Sequence, residues 1–250
     1  MSVETVARLH IVLDDIDPAI WRRVDVPVTA SLKMLHDVVQ AAMGWENCHF
    51  WYFEAGDQRS GVPDPMWPDS GMAAAKNVKL AALVGRGVRE LAYTCDMGDD
   101  WRHTITIETV GPGAPDVKYP RFVAGDRRCP PEDVGGLPRY EMFLEAMGDP
   151  THEEHDRLRD WHGGPYNPDD IDERFTRRAV AAIAIRRHAG KVAYQKSRSE
   201  QQDGPLATLT VRPSPKASSH TCLQHERSPL PAQSTPRRTH ARSHTNARSP

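Results

Sequence analysis

From residue 7 to residue 13, Ala7, Leu9, Ile11 and Leu13 alternate with Arg8, His10 and Val12. A period of two is that of a strand with one buried face, so a strand is predicted here. Asp14 to Pro18 reads as a turn, and Ile20 to Val26 resumes an extended pattern before Pro27. The period then lengthens. Leu32, Leu35, Val39 and Met43 fall at helical spacing, which predicts a helix from Ser31 to Met43 stopped by Gly44. Cys48 to Glu54 returns to strand, with aromatic residues on both faces. Gly, Pro and Asp mark Gly56 to Asn77 as a long loop, and Leu80 to Val84 could form one or two helical turns. Arg89–Cys95 and Trp101–Val110 make the clearest hairpin, joined through Asp96-Met97-Gly98-Asp99-Asp100.

The last third is helical in pattern. Pro138 suits a first helical position, Tyr140, Phe143, Leu144 and Met147 form one face, and Gly148 ends the run. Thr151-His152-Glu153-Glu154 matches a capping box, predicting a helix from there to about Trp161, broken by Gly163-Gly164-Pro165. Asn167-Pro168-Asp169-Asp170 then reads as the start of a final helix reaching His188 and stopping at Gly190. Strands first and helices later predict an α+β domain, with helices packed on one face of a mainly antiparallel sheet.

Composition changes this picture at one place. The chain has 250 residues, 38% hydrophobic and 26% charged, which excludes a wholly disordered chain, a collagen and a disulfide-knit module. From Arg198 to Pro250, however, there are 7 Pro, 8 Ser and 6 Thr, and all 17 aromatic residues lie before that stretch. It cannot bury enough apolar surface to offset its ordering entropy, so a single domain over residues 1–195 and a disordered tail over 196–250 are expected. The tail carries 8 Lys or Arg against 3 Asp or Glu, whereas the rest carries 24 against 31. Either this basic tail holds an anionic partner, or it is an accidental extension of the kind a GC-rich gene gives past a frameshift. No run of about 18 apolar residues and no signal peptide are evident. Cys48, Cys95, Cys129 and Cys222 include no C-x-x-C pair, which suits free thiols in a reducing cytoplasm. No membrane partner is expected.

Several blocks resemble a known family. Ile16-Asp17-Pro18-Ala19-Ile20-Trp21-Arg22-Arg23 is similar to the opening signature of the plasmid pRiA4b ORF-3-like family. So is Leu35-His36 followed by Ala42-Met43-Gly44-Trp45 and Asn47-Cys48-His49-Phe50. Tyr93-Thr94-Cys95-Asp96-Met97-Gly98-Asp99-Asp100-Trp101-Arg102-His103 resembles the family's Y-x-Y-D-x-G-D-x-W-x-H, departing at Cys95, where an aromatic residue is usual. Cys129 to Gly136 and Asp149 to His155 resemble its two later blocks. The resemblance implies an α+β domain, a passenger of plasmids and insertion elements, some of whose relatives carry the label of a transposon resolvase. It brings no established activity.

A recombinase needs a nucleophile flanked by arginines that neutralise a phosphate. Ser2 and Ser31 lack the accompanying doubly wound domain and helix-turn-helix, and no clear tyrosine-type set is present. The acid excess of residues 1–197 also opposes DNA affinity, which leaves the basic tail or the last helix as a nucleic-acid contact.

The candidate chemistry is concentrated in acids and histidines, each with a structural alternative. Asp96 and Asp99 flank the hairpin turn, and His103 shares a strand face with Trp101, Ile105 and Ile107. If that face lines a cleft, an Asp–His pair could act as a general base or bind a metal; otherwise His103 is buried and the aspartates cap backbone amides. Glu132 and Asp133 sit on a loop stiffened by Pro130-Pro131, where they could meet His103 or Asp99 around a divalent cation, or simply lead into a helix. His152 and His155 are weaker metal candidates, since their spacing of three lacks the i, i+4 zinc-protease pattern. Trp21, Trp45, Trp51 and Trp101 could stack on bases or sugars or fill a core. Arg177, Arg178, Arg186 and Arg187 follow a run of acids, as the helix dipole favours.

Three functional readings follow. The first is a non-enzymatic binding or accessory protein of mobile DNA. The second is a metal-assisted hydrolase-type enzyme centred on Asp96, Asp99 and His103, with Glu132 and Asp133 opposite; a divalent metal is the cofactor these residues suggest. The third is a nucleic-acid-handling factor.

Overall fold

A computed structural model describes residues 3–64, 66 and 70–203. Strand β1 (Thr5–Leu13) turns into β2 (Ile20–Pro27), and Ala7, Leu9, Ile11 and Leu13 all face inward as their alternation requires. Helix α1 (Leu32–Met43) is capped by the Ser31 hydroxyl, which accepts from the Met34 amide. It ends where Gly44 enters the left-handed region at φ 91°. β3 (Trp51–Ala55) follows, then β4 (Gln58–Gly61), β5 (Ala73–Ala74) and the short α2 (Leu80–Gly85). The hairpin β6 (Glu90–Cys95) and β7 (Trp101–Pro112) leads to β8 (Arg121–Asp126). Three helices close the described chain: α3 (Gly136–Gly148), α4 (His155–His162) and α5 (Glu173–Asp203).

The strands form one eight-stranded sheet in the order β5-β4-β3-β6-β7-β1-β2-β8, antiparallel except for the β4–β5 pair. Inward residues of β1 and β7 share one core with Leu35, Val38 and Val39 of α1 and with Tyr140 and Phe143 of α3. The opposite sheet face carries Arg8, His10, Arg23, Arg102 and Glu108, so the helices cover one face of a mainly antiparallel sheet, the predicted α+β arrangement.

Several boundaries differ from expectation for local reasons. The predicted loop 56–77 contains β4 and β5, and β8 is a strand that alternation does not announce. Pro138 lies two residues inside α3 rather than at its first position. Thr151 does not cap a helix: its amide and hydroxyl both bond Asp149 Oδ1, and the Glu154 amide donates to His152 Nδ1, so α4 begins at His155. The final helix starts at Glu173 because Asp172 Oδ1 accepts from the Phe175 amide as its cap. It runs through Gly190, since one exposed helical glycine costs only about 1 kcal/mol. Residues 196–203 of the expected tail are therefore helical, and 204–250, with Cys222, lie outside the described residues. Among the described residues, no helix is long and apolar enough to cross a membrane.

Candidate functional site

Three connections meet at one end of the sheet: residues 44–50 after α1, the 96–100 turn between β6 and β7, and the loop 129–135 before α3. Specific bonds hold them together. The Trp45 indole donates to the Pro130 carbonyl at 3.0 Å, and the Glu46 amide donates to Glu132 Oε2 at 3.2 Å. The guanidinium of Arg22, buried in β2, donates to the carbonyls of Ala42 and Asp126 and to Cys129 Sγ, tying the end of α1 to the start of the acidic loop. Asp99 Oδ2 accepts from the Gly135 amide at 2.9 Å, fastening the hairpin turn to the entry of α3. At that contact Gly136 has φ 77°, and an added Cβ would lie 2.9 Å from the Asp99 carbonyl oxygen, so glycine is required.

His49 occupies the meeting point. Its Nδ1 lies 3.4 Å from Asp96 Oδ2, while Nε2 lies 3.2 Å from Glu132 Oε1 and 3.4 Å from Asp133 Oδ1. Asp96 and Glu132 are each pre-aimed. Asp96 Oδ1 accepts from the amides of Gly98 and Asp99, leaving Oδ2 toward the imidazole. Glu132 commits Oε2 to the Glu46 amide and turns Oε1 toward His49 and the Cys48 thiol, which donates to it at 3.7 Å. Backbone conformation contributes too, since Asn47, Asp96 and Asp133 all sit at positive φ, which Asn and Asp tolerate.

The ring nitrogen between Glu132 and Asp133 is sealed from solvent, yet neither carboxylate approaches it along a hydrogen-bond direction. Burial pushes the Glu132 carboxyl above its ordinary pKa, opposed by the Glu46 amide and by His49. Trp45, Trp101 and Cys95 wall a cavity of about 10 Å³ beside this cluster, room for one ion or water but not for an organic molecule. Ligand-type atoms of His49, Asp96 and Asp133 lie within 4.8 Å of one another, as do those of Cys48, His49 and Glu132. An imidazole whose far nitrogen faces a carboxylate, with further carboxylates at its near nitrogen, is the arrangement found in metal centres.

Of the residues singled out from sequence, the structure gathers Asp96, Glu132 and Asp133. It does not bring His103 or Asp99 into the cluster as ligands. His103 is wholly buried beneath Trp45 and beside Tyr93, and neither ring nitrogen has a hydrogen-bond partner among the described residues. Burial lowers its pKa to about 4, with the backbone of Tyr93 and Trp101 offsetting part of the shift. Of the two alternatives for the hairpin, the structure thus shows the buried His103 with Asp96 capping backbone amides, while a different histidine, His49, faces Asp96. The cause is strand parity: at the residue-2 period, His103 points into the core, while Asp96 leaves the strand at the turn. Asp99 is a helix-entry cap whose own carboxyl is raised by burial. His152 and His155 are engaged locally, His152 with the Glu154 amide and His155 with the Ala146 carbonyl, and neither belongs to a metal-capable group among the described residues. Trp45, Trp51 and Trp101 pack against the core, while half-buried Trp21 lies beside His10 under Arg23 on the open sheet face. His49 and Cys48 carry no periodic signal; their mark is position, in a polar break between the Gly44 stop and β3.

An eight-stranded, mainly antiparallel sheet roofed by helices, with loops that gather an imidazole and carboxylates at its end, defines an α+β domain carrying an acidic–histidine centre. The chain belongs to the plasmid pRiA4b ORF-3-like protein family, whose profile matches residues 5–174. It is 42% identical over 161 residues to the uncharacterised protein y4hQ of Sinorhizobium fredii, covering 64% of this chain and 82% of that one. It is also similar to the crystal structure of a protein of unknown function, MM3350, from Methanosarcina mazei Go1. That likeness has a TM-score of 0.62 and 32% identity, and covers 67% of this chain and 95% of the other.

Proposed function

We propose that this protein is a binding or accessory protein, a passenger of mobile DNA, whose working site holds one divalent cation at Cys48, His49 and Glu132. Asp96 orients the imidazole from behind. The observation that carries the reading is the His49 ring: Nδ1 faces one carboxylate, and sealed Nε2 faces two others within 3.4 Å without an aligned hydrogen bond. One imidazole, one carboxylate and one thiol favour Zn²⁺ or a similar transition ion over Mg²⁺ or Ca²⁺. The plasmid named in the family's description supports the accessory setting. Elemental analysis of protein purified without metal-chelating resin tests the reading: about one transition ion per chain is expected, lost in His49→Ala, and an equal metal content in both proteins contradicts it.

A second reading, metal-assisted hydrolysis, is favoured by a cavity of about 270 Å³ that shares Trp45 and Glu132 with the small one and is lined by Arg128 and His162. In this reading the enzymatic centre is His49 rather than His103. Turnover of generic ester or phosphate substrates that depends on both added metal and His49 would favour it over simple binding.

A further inference from the structure

Beside the cluster lies a polar ring, buried except at Asn47, that the binding chemistry itself does not require. His36 and Gln40, both on α1 and both buried, face Tyr93 of β6, and the ring closes through Asn47. Its directions follow from donor and acceptor chemistry. The Asn47 amide group donates from Nδ2 to Asp37 Oδ1 at 3.3 Å, which turns Oδ1 toward His36 Nε2. A carbonyl oxygen only accepts, so His36 Nε2 carries the proton and Nδ1 is the acceptor. Tyr93 therefore donates its hydroxyl proton to His36 Nδ1 at 2.8 Å. The Tyr93 oxygen accepts from Gln40 Nε2 at 3.0 Å, and Gln40 Oε1 accepts from the Asn47 backbone amide at 3.1 Å. The second proton of Gln40 Nε2 goes to Cys95 Sγ at 3.1 Å. Each bond runs in one sense around the ring, the arrangement in which neighbouring hydrogen bonds polarise one another. Burial keeps His36 neutral, its pKa lowered to about 3, as the acceptor role at Nδ1 demands.

The ring has two exits, and both lead to the cluster. Asn47, at φ 61°, is held by its side chain and its amide, and the chain continues through Cys48 to His49. Cys95 is held by Gln40, and the next residue is Asp96. We propose that His36, Gln40, Tyr93 and Asn47 are positioning residues that hold the His49 and Asp96 loops in register, so that the imidazole meets its carboxylates in the geometry a cation needs. This rests on the cation-binding reading above.

The test is zinc affinity by competition titration, together with the visible spectrum of the Co²⁺-substituted protein, for a small set of full-length variants. Tyr93→Phe keeps the ring's packing and removes the hydroxyl, and Asn47→Ala removes the acceptor at the surface exit. Both are expected to weaken zinc about 10- to 100-fold, as loss of outer-sphere support does, and to alter the Co²⁺ bands. Ile11→Ala, a core change in β1 outside the ring, is expected to lower the melting temperature with the affinity and bands unchanged. If wild type binds zinc and Asn47→Ala binds it as tightly with the same Co²⁺ spectrum, the positioning role is overturned while the cation site stands. If wild type binds no zinc, both are overturned.

Discussion

Asp96 and His49 stand 3.4 Å apart because Asp96 is held by its own turn: one carboxylate oxygen accepts from the Gly98 and Asp99 amides, and the other is left facing the imidazole. The same side chain thus closes the hairpin and orients the histidine. Its two duties are separable, because an amide oxygen can cap the turn but a neutral amide cannot supply the charge behind the ring.

Asp96→Asn is accordingly expected to retain the melting temperature of the metal-free protein while weakening zinc binding about 10- to 100-fold. Calorimetric titration beside a thermal melt checks both halves. A large fall in melting temperature with unchanged affinity would assign Asp96 to the turn alone.

His103 makes a different prediction. Its pKa of about 4 in the fold lies below the ordinary 6.5, so from about pH 6.5 downward the unfolded chain takes up a proton that the folded one refuses. The stability tied to this group is fully present above pH 6.5 and is lost as pH falls toward 4. The loss is on the order of a few kcal/mol. His36, lowered further to about 3, adds to the same acid limb. Because neither His103 nitrogen has an aligned hydrogen-bond partner among the described residues, His103→Leu is expected to be at least as stable as wild type at neutral pH and to flatten the decline between pH 6.5 and 4. Urea midpoints across that range measure it. A variant that unfolds at pH 7, or keeps the wild-type acid slope, refutes this account of the buried ring.

Gly136→Ala tests the joint between hairpin and helix α3. The backbone is left-handed there, and the added methyl would meet the Asp99 carbonyl at 2.9 Å. A loss of roughly 1–3 kcal/mol is expected, seen as a lower melting temperature. An Ala variant as stable as wild type would mean that the turn and the helix entry can move apart.

The sequence was most readable where burial imposes a period. The alternation in β1, the spacing and caps of α1 and the aspartate-rich turn each point to the element found, since each is decided by residues within a few positions of one another. β8 escaped because only Phe122 of its residues is fully buried, so no alternation appears. Thr151 misled because Asp149, two residues earlier, captures the hydroxyl that a capping box needs. The candidate site was legible in part. Asp96, Glu132 and Asp133 stand out as acids beside turn-forming residues, but their histidine partner is set by which loops meet in space. His103 had the more conspicuous sequence context and His49 the productive position. The resemblance carried by Asn47-Cys48-His49-Phe50 held the needed hint, without a reason to weigh it above the hairpin.

The central claim is that Cys48, His49 and Glu132 form a single cation site. Its most direct measurement is calorimetric titration of Zn²⁺ into metal-stripped protein, run in parallel on wild type, His49→Ala and Glu132→Gln. One-to-one binding by wild type that strengthens as pH rises, disappears in His49→Ala and weakens in Glu132→Gln is the predicted result. Equal binding by wild type and His49→Ala, or no binding by wild type, would contradict it.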